Sequence, residues 1–257
     1  MTVQAGIDIG SRTIKLVLLE DGRISRTLVA DTTFDPLAVC RDLIAEIDYD
    51  RITATGYGRH LFARHWSCDH ISEIKAVSLG GRFLLTTCGT VLDVGGQDTK
   101  VVSLDTEGRL NKFLMNDRCA AGTGRFLEVM AAALSFTYEQ FAAAALSATY
   151  AEKLNSMCTV FAESEVISLV AQGASREAIA LGIHQAIATR TLSLLKGMPL
   201  SNDIMFAGGG AFNACLRRQI EAGLGRKMHL PENPRIVAAL GAALCYAGKE
   251  KGNGSRQ

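Results

Sequence analysis

The chain has 257 residues, of which 48% are hydrophobic and 21% are charged, and its formal net charge is +1. This composition is typical of a compact soluble protein with one large domain or two lobes. The balanced charge, without a run of Lys or Arg, argues against a nucleic acid or a polybasic membrane surface as a partner. We expect a cytoplasmic protein, because no secretory leader begins at Met1 and no apolar run reaches about 18 residues. Seven cysteines, an odd number, do not indicate a disulfide framework in such a chain.

The first predicted elements recur later in the chain, which indicates an internal duplication. GIDIGSRTIKLVLLEDGRI is followed, after an intervening segment, by VLDVGGQDTKVVSLDTEGRL. Each copy contains an apolar strand that ends in an acid, a tight glycine turn and a second β-rich strand. The turns are too short for a crossover helix, so the strands of each pair should be antiparallel. We predict an α/β protein with two duplicated, ribonuclease H-like lobes around a nucleotide cleft. The aligned residues are Asp8 with Asp93, Gly10 with Gly95, Lys15 with Lys100, Val17 with Val102, and Leu19 with Leu104.

The remaining elements complete these two lobes. The first lobe, 1–88, contains a helix over 36–47, a strand over 52–55 and a glycine turn over 56–58. The second lobe, 89–231, contains helices after Cys119, after Phe161 and over 178–196, and an alanine-rich segment over 141–148. It then has DIMFAGGGAFN as a strand, a glycine turn and a helix. The last part, 232–257, contains an apolar helix that should pack back on the first lobe, followed by a frayed tail, GNGSRQ.

The two aligned glycine turns suit a phosphate chain with Mg²⁺. Each places a carboxylate at a strand end, beside backbone N–H groups and small polar side chains. The alternative is a pair of hairpin turns whose glycines merely supply positive φ. On the phosphate interpretation, Asp8 and Asp93 are Mg²⁺ or water ligands, and Gln97 is a further catalytic candidate. The expected phosphate contacts are Gly10, Ser11, Arg12, Thr13, Lys15, Gly95, Gly96 and Asp98.

A third glycine turn, Gly208-Gly209-Gly210, comes after a strand and opens a helix. It lacks the lysine and serine of a Walker motif. We expect it to pack against the base and ribose of a nucleotide, with Asn213 close by.

Two cysteine segments, NDRCAAGTGRF and SMCTVFAESEVISLV, each precede a predicted helix. Asn116 or Asp117 is a plausible N-cap for the first helix, whose positive end would favour a thiolate at Cys119. Cys158 has the same relation to the second helix. The alternative is that both are small buried hydrophobes.

Two glutamates, Glu163 and Glu165, are expected in the first turn of the second helix. Acids are favoured there by the helix dipole alone, and either glutamate is also a candidate for orienting a hydrolytic water. His184, on an apolar helix, is expected to be structural.

The combination of a phosphate turn in each lobe with a late glycine turn for adenosine resembles the sugar kinase, Hsp70 and actin superfamily. Four stretches are similar to the ATP-dependent activators of 2-hydroxyacyl-CoA dehydratases and to the related ATPase subunits of benzoyl-CoA reductase. These stretches are ATGYGR, DVGGQDTKV, MNDRCAAGTGRFLEVMA and CTVFAESEVISL. There are two departures. The chain has Lys75-Ala76-Val77 where that family commonly has a Cys-His-Ala type sequence, and Arg235 where relatives have a glutamine near the nucleotide.

The resemblance implies a homodimer that shares one 4Fe–4S cluster, with Cys119 and Cys158 of each subunit as ligands. It also implies that ATP hydrolysis drives low-potential electron transfer to a partner dehydratase or reductase that carries its own iron–sulfur cluster, with ferredoxin or flavodoxin as the electron donor. The alternatives are a small-molecule kinase of the sugar type and a non-enzymatic, nucleotide-dependent regulator. In neither would the two cysteine segments have a purpose.

Overall fold

The computed structural model describes residues 2–116, 122–154 and 159–252, with the side chains of 159–160 and 246–252 left aside. Its strands are β1 (Val3–Ile9), β2 (Thr13–Glu20), β3 (Arg23–Asp31), β4 (Arg51–Thr55), β5 (Asp69–His70), β6 (Thr90–Val94), β7 (Thr99–Leu104), β8 (Leu110–Asn116) and β9 (Ile204–Ala207). Its α-helices are α1 (Pro36–Ala45), α2 (Arg59–Ala63), α3 (Glu73–Leu84), α4 (Gly124–Ala133), α5 (Tyr138–Ser147), α6 (Thr159–Ala171), α7 (Arg176–Lys196), α8 (Ala214–Leu224) and α9 (Val237–Gly252).

The chain forms two compact units. The first comprises Met1–Val91, Val102–Lys112 and Pro231–Gln257, and the second comprises Leu92–Val101 and Phe113–Leu230. In the first unit the sheet order is β3-β2-β1-β4-β5. Strand β1 is antiparallel to β2, with Asp8 opposite Lys15, and parallel to β4. The predicted antiparallel hairpin is therefore confirmed in this unit.

Helix α9 closes the first unit by packing on its sheet and on α3. The contact is so close that a Cβ on Gly6 of β1 would overlap the backbone of Ala239 and Ala243. A Cβ on Gly241 of α9 would likewise overlap the carbonyl oxygen of Ala76 in α3. Small residues on all three elements thus allow backbones to approach and exclude water from the apolar side chains around them. The predicted tail over 253–257 lies outside the described residues.

The second sheet has a strand order that corresponds to part of the first. Its order is β8-β7-β6-β9, in which β9 adjoins β6 as β4 adjoins β1. The core of the second unit collects buried side chains from β6, β7 and β9 and from helices α4 to α8. Helix α7 is long and apolar enough to cross a membrane by length and composition alone, but 56% of its apolar window is buried, as in the core helix of a soluble protein. The predicted pair of related α/β lobes is confirmed.

Two local predictions were wrong. Helix α4 begins at Gly124 with Thr123 at its N-cap, not with Asn116 or Asp117. The displacement follows from Gly122, whose φ of +99° interrupts the helical path. Helix α6 begins at Thr159, so Glu163 and Glu165 lie beyond its first turn. Three further elements, α2, β5 and α3, were not predicted from the sequence. Ser72 caps α3 by accepting a hydrogen bond from Lys75 N.

Candidate functional site

The first aligned turn joins β1 to β2 and places a buried acid at the strand end. Gly10 N donates to Thr13 O at 3.2 Å, which leaves Ser11 and Arg12 at the tip. Asp8 is 3% exposed, and its Oδ2 accepts a hydrogen bond from Lys15 Nζ at 2.8 Å. Its Oδ1 is buried and has no hydrogen-bond partner among the described residues. A buried carboxylate oxygen without a partner is unusual, and a bound ion or water is one of the ordinary explanations for it.

The second aligned turn, between β6 and β7, differs from the first in its ion pairs. Gly95 N donates to Asp98 O at 2.9 Å, and Gln97 is exposed at the tip beside Gly96. Lys100 is only 1% exposed and forms an ion pair with Asp98, while its Nζ lies 3.9 Å from Asp93 Oδ2. In the first turn the lysine pairs with the strand-end acid, whereas in the second it pairs with the acid of the turn itself.

The third glycine turn, after β9, consists of three glycines with different surroundings. Gly208 has φ of +83°, and a Cβ there would overlap Asp93 Oδ1. A Cβ on Gly210 would lie 2.5 Å from Val94 Cγ1. Gly209 is exposed, and a Cβ on it would meet no described atom within 4 Å. Two of the glycines are therefore required by contacts within the chain, and the middle one faces open space.

Asn213, a predicted nucleotide contact, is 1% exposed and connects this turn to the core. Its Oδ1 accepts from Leu216 N at 2.9 Å and caps α8, while its Nδ2 lies 2.9 Å from His184 Nε2. His184 Nδ1 lies 2.7 Å from the carbonyl oxygen of Ala180. These contacts require Nδ1 to donate and Nε2 to accept, so the ring is neutral. Burial lowers the pKa of His184 to about 4, in agreement with this assignment.

Sequence reasoning missed that the turn after β4 is the counterpart of the turn after β9. Gly56 has φ of +84°, and a Cβ there would overlap Asp8 Oδ1. A Cβ on Gly58 would overlap Ile9 Cγ2, as one on Gly210 would crowd Val94. The signal was present in the sequence as glycines at the same spacing directly after a strand, in 54–58 and in 206–210.

The segment that leads into α4 is attached to the second aligned turn by three hydrogen bonds. Thr99 Oγ1 donates to Gly122 O at 2.7 Å. The N–H groups of Gly124 and Arg125 donate to the carbonyl oxygens of Gly95 and Gly96, both at 2.9 Å. Cys119 and Cys158, the predicted cluster ligands, lie outside the described residues.

The other predicted residues are less enclosed. Glu163 is exposed on α6 and Glu165 is half-buried. Glu163 lines an open cavity of about 350 Å³ together with residues of α4, namely Arg125, Glu128, Val129, Ala132 and Ala133. Arg235 is exposed in a 3₁₀ turn of the first unit, and its N–H donates to Asn233 Oδ1 at 3.2 Å. Within residues 2–116, 122–154 and 159–252, no group of three or more His, Cys, Asp or Glu side chains could hold a metal ion.

Comparison with models of known protein families identifies the family of this chain. The model of the BadF/BadG/BcrA/BcrD ATPase family matches residues 5–245. The chain belongs to this family. The membership of an ATPase family, which the sequence motifs predicted, is therefore confirmed.

Several relatives of this ATPase-family chain are similar over nearly their full length. It is 40% identical to the activator of lactoyl-CoA dehydratase from Anaerotignum propionicum, over 93% of this chain and 95% of that one. It is 38% identical to the 2-hydroxyisocaproyl-CoA dehydratase activator from Clostridioides difficile, over 93% and 92%. The structure of the activator of the 2-hydroxyisocaproyl-CoA dehydratase from Clostridium difficile with bound ADPNP matches with a TM-score of 0.89 and 35% identity, over 100% of this chain and 99% of that one.

Proposed function

We propose that this chain is an ATP-hydrolysing iron–sulfur activator that transfers a low-potential electron to a partner enzyme. The partner is an iron–sulfur protein of the 2-hydroxyacyl-CoA dehydratase or benzoyl-CoA reductase type. The observation that carries this proposal is the full-length likeness to a dehydratase activator with bound ADPNP. The names of the relatives favour the activator over the sugar-type kinase.

The described residues fit a nucleotide with Mg²⁺. Asp8 Oδ1 is buried and has no partner, as expected of an atom whose partner is a metal-bound water or the metal itself. Mg²⁺ is usually held by one or two carboxylates, phosphate oxygens and waters, so three clustered side chains are not needed. Lys15 brings a positive charge to the same turn, and the open side of Gly209 leaves room for a base and ribose.

In ATP hydrolysis the protein has to position the phosphates and the attacking water. We assign Asp8 and Asp93 to Mg²⁺ or its waters, and Gln97 and Glu163 to candidate roles at the attacking water. The phosphate contacts are the backbone and side chains of the two aligned turns. Asn213 would act by holding the third glycine turn in place, because both ends of its amide are engaged within the chain.

The 4Fe–4S cluster rests on Cys119 and Cys158 through the resemblance to the activators. A cubane takes four thiolates, and two per chain require a second copy, so the proposed active form is a homodimer. Cys158 directly precedes α6 in the sequence, where the helix dipole favours a thiolate. When bound, the cluster supplies the one-electron chemistry. We propose a cytoplasmic protein that receives its electron from ferredoxin or flavodoxin.

Anaerobic purification tests this proposal directly. The protein should be brown, contain about four irons per dimer, and give an electron paramagnetic resonance signal on reduction, as expected of one cubane. It should hydrolyse Mg-ATP without an added hydroxyl acceptor and without forming a phosphorylated sugar. A colourless protein that phosphorylates a sugar would establish the kinase alternative. A colourless protein that binds ATP without hydrolysing it would establish the regulator.

A further inference from the structure

The feature of interest is Tyr57, the middle residue of the turn after β4. Its counterpart in the turn after β9 is Gly209. The flanking glycines of both turns pack against the strand-end acid and against the residue that follows it, so the two backbones have equivalent surroundings. A Cβ on Gly209 would meet no described atom within 4 Å. The equivalent position in the first unit therefore also projects away from the core, and there it carries a tyrosine that is 54% exposed.

Two hydrogen bonds fix the turn that carries this tyrosine. Gly58 N donates to Ile9 O, at the end of β1, at 3.0 Å. Arg59 Nη1 donates to Gly56 O at 2.9 Å and so closes the turn on itself. Because the backbone is held on both sides, the position of the tyrosine side chain is set by the end of β1 and by its own rotamer.

The end of β1 is also where the first unit offers a ligand site. Asp8 is 3% exposed, and its Oδ1 atom has no hydrogen-bond partner among the described residues. This atom lies so close to Gly56 that a Cβ there would overlap it. Under the proposed function, the carboxylate holds Mg²⁺ or one of its waters. In phosphoryl transfer the metal bridges β- and γ-phosphate oxygens, so Tyr57 is an exposed hydroxyl-bearing side chain beside the place where the terminal phosphate would bind.

We infer that Tyr57 is a nucleotide-binding residue whose hydroxyl group donates a hydrogen bond to the terminal phosphate of ATP. The inference rests on the proposed function in one respect, that Asp8 binds the metal of Mg-ATP or its water. A phenol suits this contact because it is an uncharged donor at neutral pH, so it recognises a phosphate oxygen without adding a second positive charge beside Lys15. The hydrogen bond forms with ATP and is absent with ADP. The affinity for ATP therefore depends on Tyr57, and the affinity for ADP does not.

Calorimetry with Mg²⁺ and either ADP or a non-hydrolysable ATP analogue tests the inference. Tyr57→Phe, which removes only the hydroxyl group, should lower the affinity for the ATP analogue by about tenfold or more, the usual effect of losing a hydrogen bond to a charged group. Its affinity for ADP should equal that of the wild type. Tyr57→Gly should lose at least as much affinity for the analogue, and Gly209 shows that a glycine is compatible with such a turn.

Tyr150→Phe is the matched control. Tyr150 is also 54% exposed, but it lies after α5 in the second unit. This variant loses an exposed phenol hydroxyl of the same kind and should bind both nucleotides as the wild type does. Three results would overturn the inference: wild-type affinity for the analogue in Tyr57→Phe, an equal loss of ADP affinity in that variant, or the same loss in Tyr150→Phe.

The proposed function fails separately. A protein that shows the Tyr57-dependent difference between the nucleotides but never assembles a cluster would refute the activator and leave the phosphate contact intact. A protein that hydrolyses Mg-ATP and assembles a working cluster, with no effect of Tyr57→Phe, would do the reverse. A wild type that binds neither nucleotide would refute both.

Discussion

The backbone of Gly208 lies so close to the carboxylate of Asp93 that a Cβ on residue 208 would overlap the Oδ1 atom. Gly56 has the same relation to Asp8 in the other unit. In both, the acid ends one strand and the glycine follows the neighbouring strand of the same sheet. The conserved geometry of the two copies shows that these glycines serve to make room for the acids, whose carboxylates stay buried at the strand ends.

The three glycines after β9 should respond differently to substitution. Gly209→Val should weaken ADP binding by calorimetry and leave the free energy of unfolding nearly unchanged, because its side chain would point into open space, where we propose that the base and ribose bind. Gly208→Ala should lower the free energy of unfolding by about 2 kcal/mol or more, since it combines strain at φ of +83° with a clash against Asp93. Unchanged ADP affinity in Gly209→Val would show that the nucleotide does not bind at this turn.

Asp8→Asn should reduce Mg-ATP turnover by about an order of magnitude or more, the usual result of losing a metal or water ligand. The substitution leaves the shape of the side chain intact but weakens the ion pair with Lys15 and the field at Oδ1. Asp93→Asn should have a similar effect. Asp50→Asn is the control, because Asp50 Oδ2 accepts a hydrogen bond from Val3 N at the opposite end of β1. Wild-type turnover in Asp8→Asn would contradict the metal assignment.

Cys119→Ala and Cys158→Ala should each abolish the cluster, because each change removes two ligands from a symmetric site. Cys40→Ala should leave it intact. Cys40 is 1% exposed, and burial raises the pKa of its thiol to about 12, so it does not supply a thiolate. Iron analysis gives the result. A normal iron content in Cys119→Ala, or about four irons per monomer in the wild type, would show that other cysteines bind the cluster.

Because of His184, the free energy of unfolding should decrease in mild acid. Its pKa in the folded protein is about 4, against an ordinary value of 6.5, so the unfolded chain binds a proton that the folded protein does not. The contribution to stability is therefore complete above pH 6.5, decreases as the pH falls, and is lost by pH 4. The free energy of unfolding lost over this pH range is about 3 kcal/mol. The ring resists protonation chiefly because it is buried. In addition, a protonated Nε2 would face the Asn213 Nδ2 hydrogens, and Asn213 cannot turn over while its Oδ1 caps α8.

Urea unfolding at pH 7.5 and 4.5 measures this effect. His184→Gln, which can accept from Asn213 but does not titrate, should show a smaller difference between the two pH values than the wild type. His65→Gln, a change at an exposed histidine, should match the wild type. An equal pH dependence in all three proteins would show that the acid sensitivity arises elsewhere.

The sequence by itself determined the elements whose structure depends on near neighbours. Apolar strands, a glycine turn and a polar turn specify a hairpin locally, and their repetition predicted two related units before any contact was known. Motif identity over nearly the whole chain also predicted the ATPase family. These signals are strong because each depends on residues a few positions apart, where periodicity and turn chemistry act directly.

The tertiary structure decided what depends on distant partners. Helix α4 begins at Gly124, and its first N–H groups find acceptors at Gly95 and Gly96, far back in the chain. The packing of α9 against β1 depends on Gly6, and the neutrality of His184 depends on Asn213. In each case the deciding contact joins residues that the sequence separates widely. Local propensity assigns no energy to such a contact, so only the folded chain reveals it.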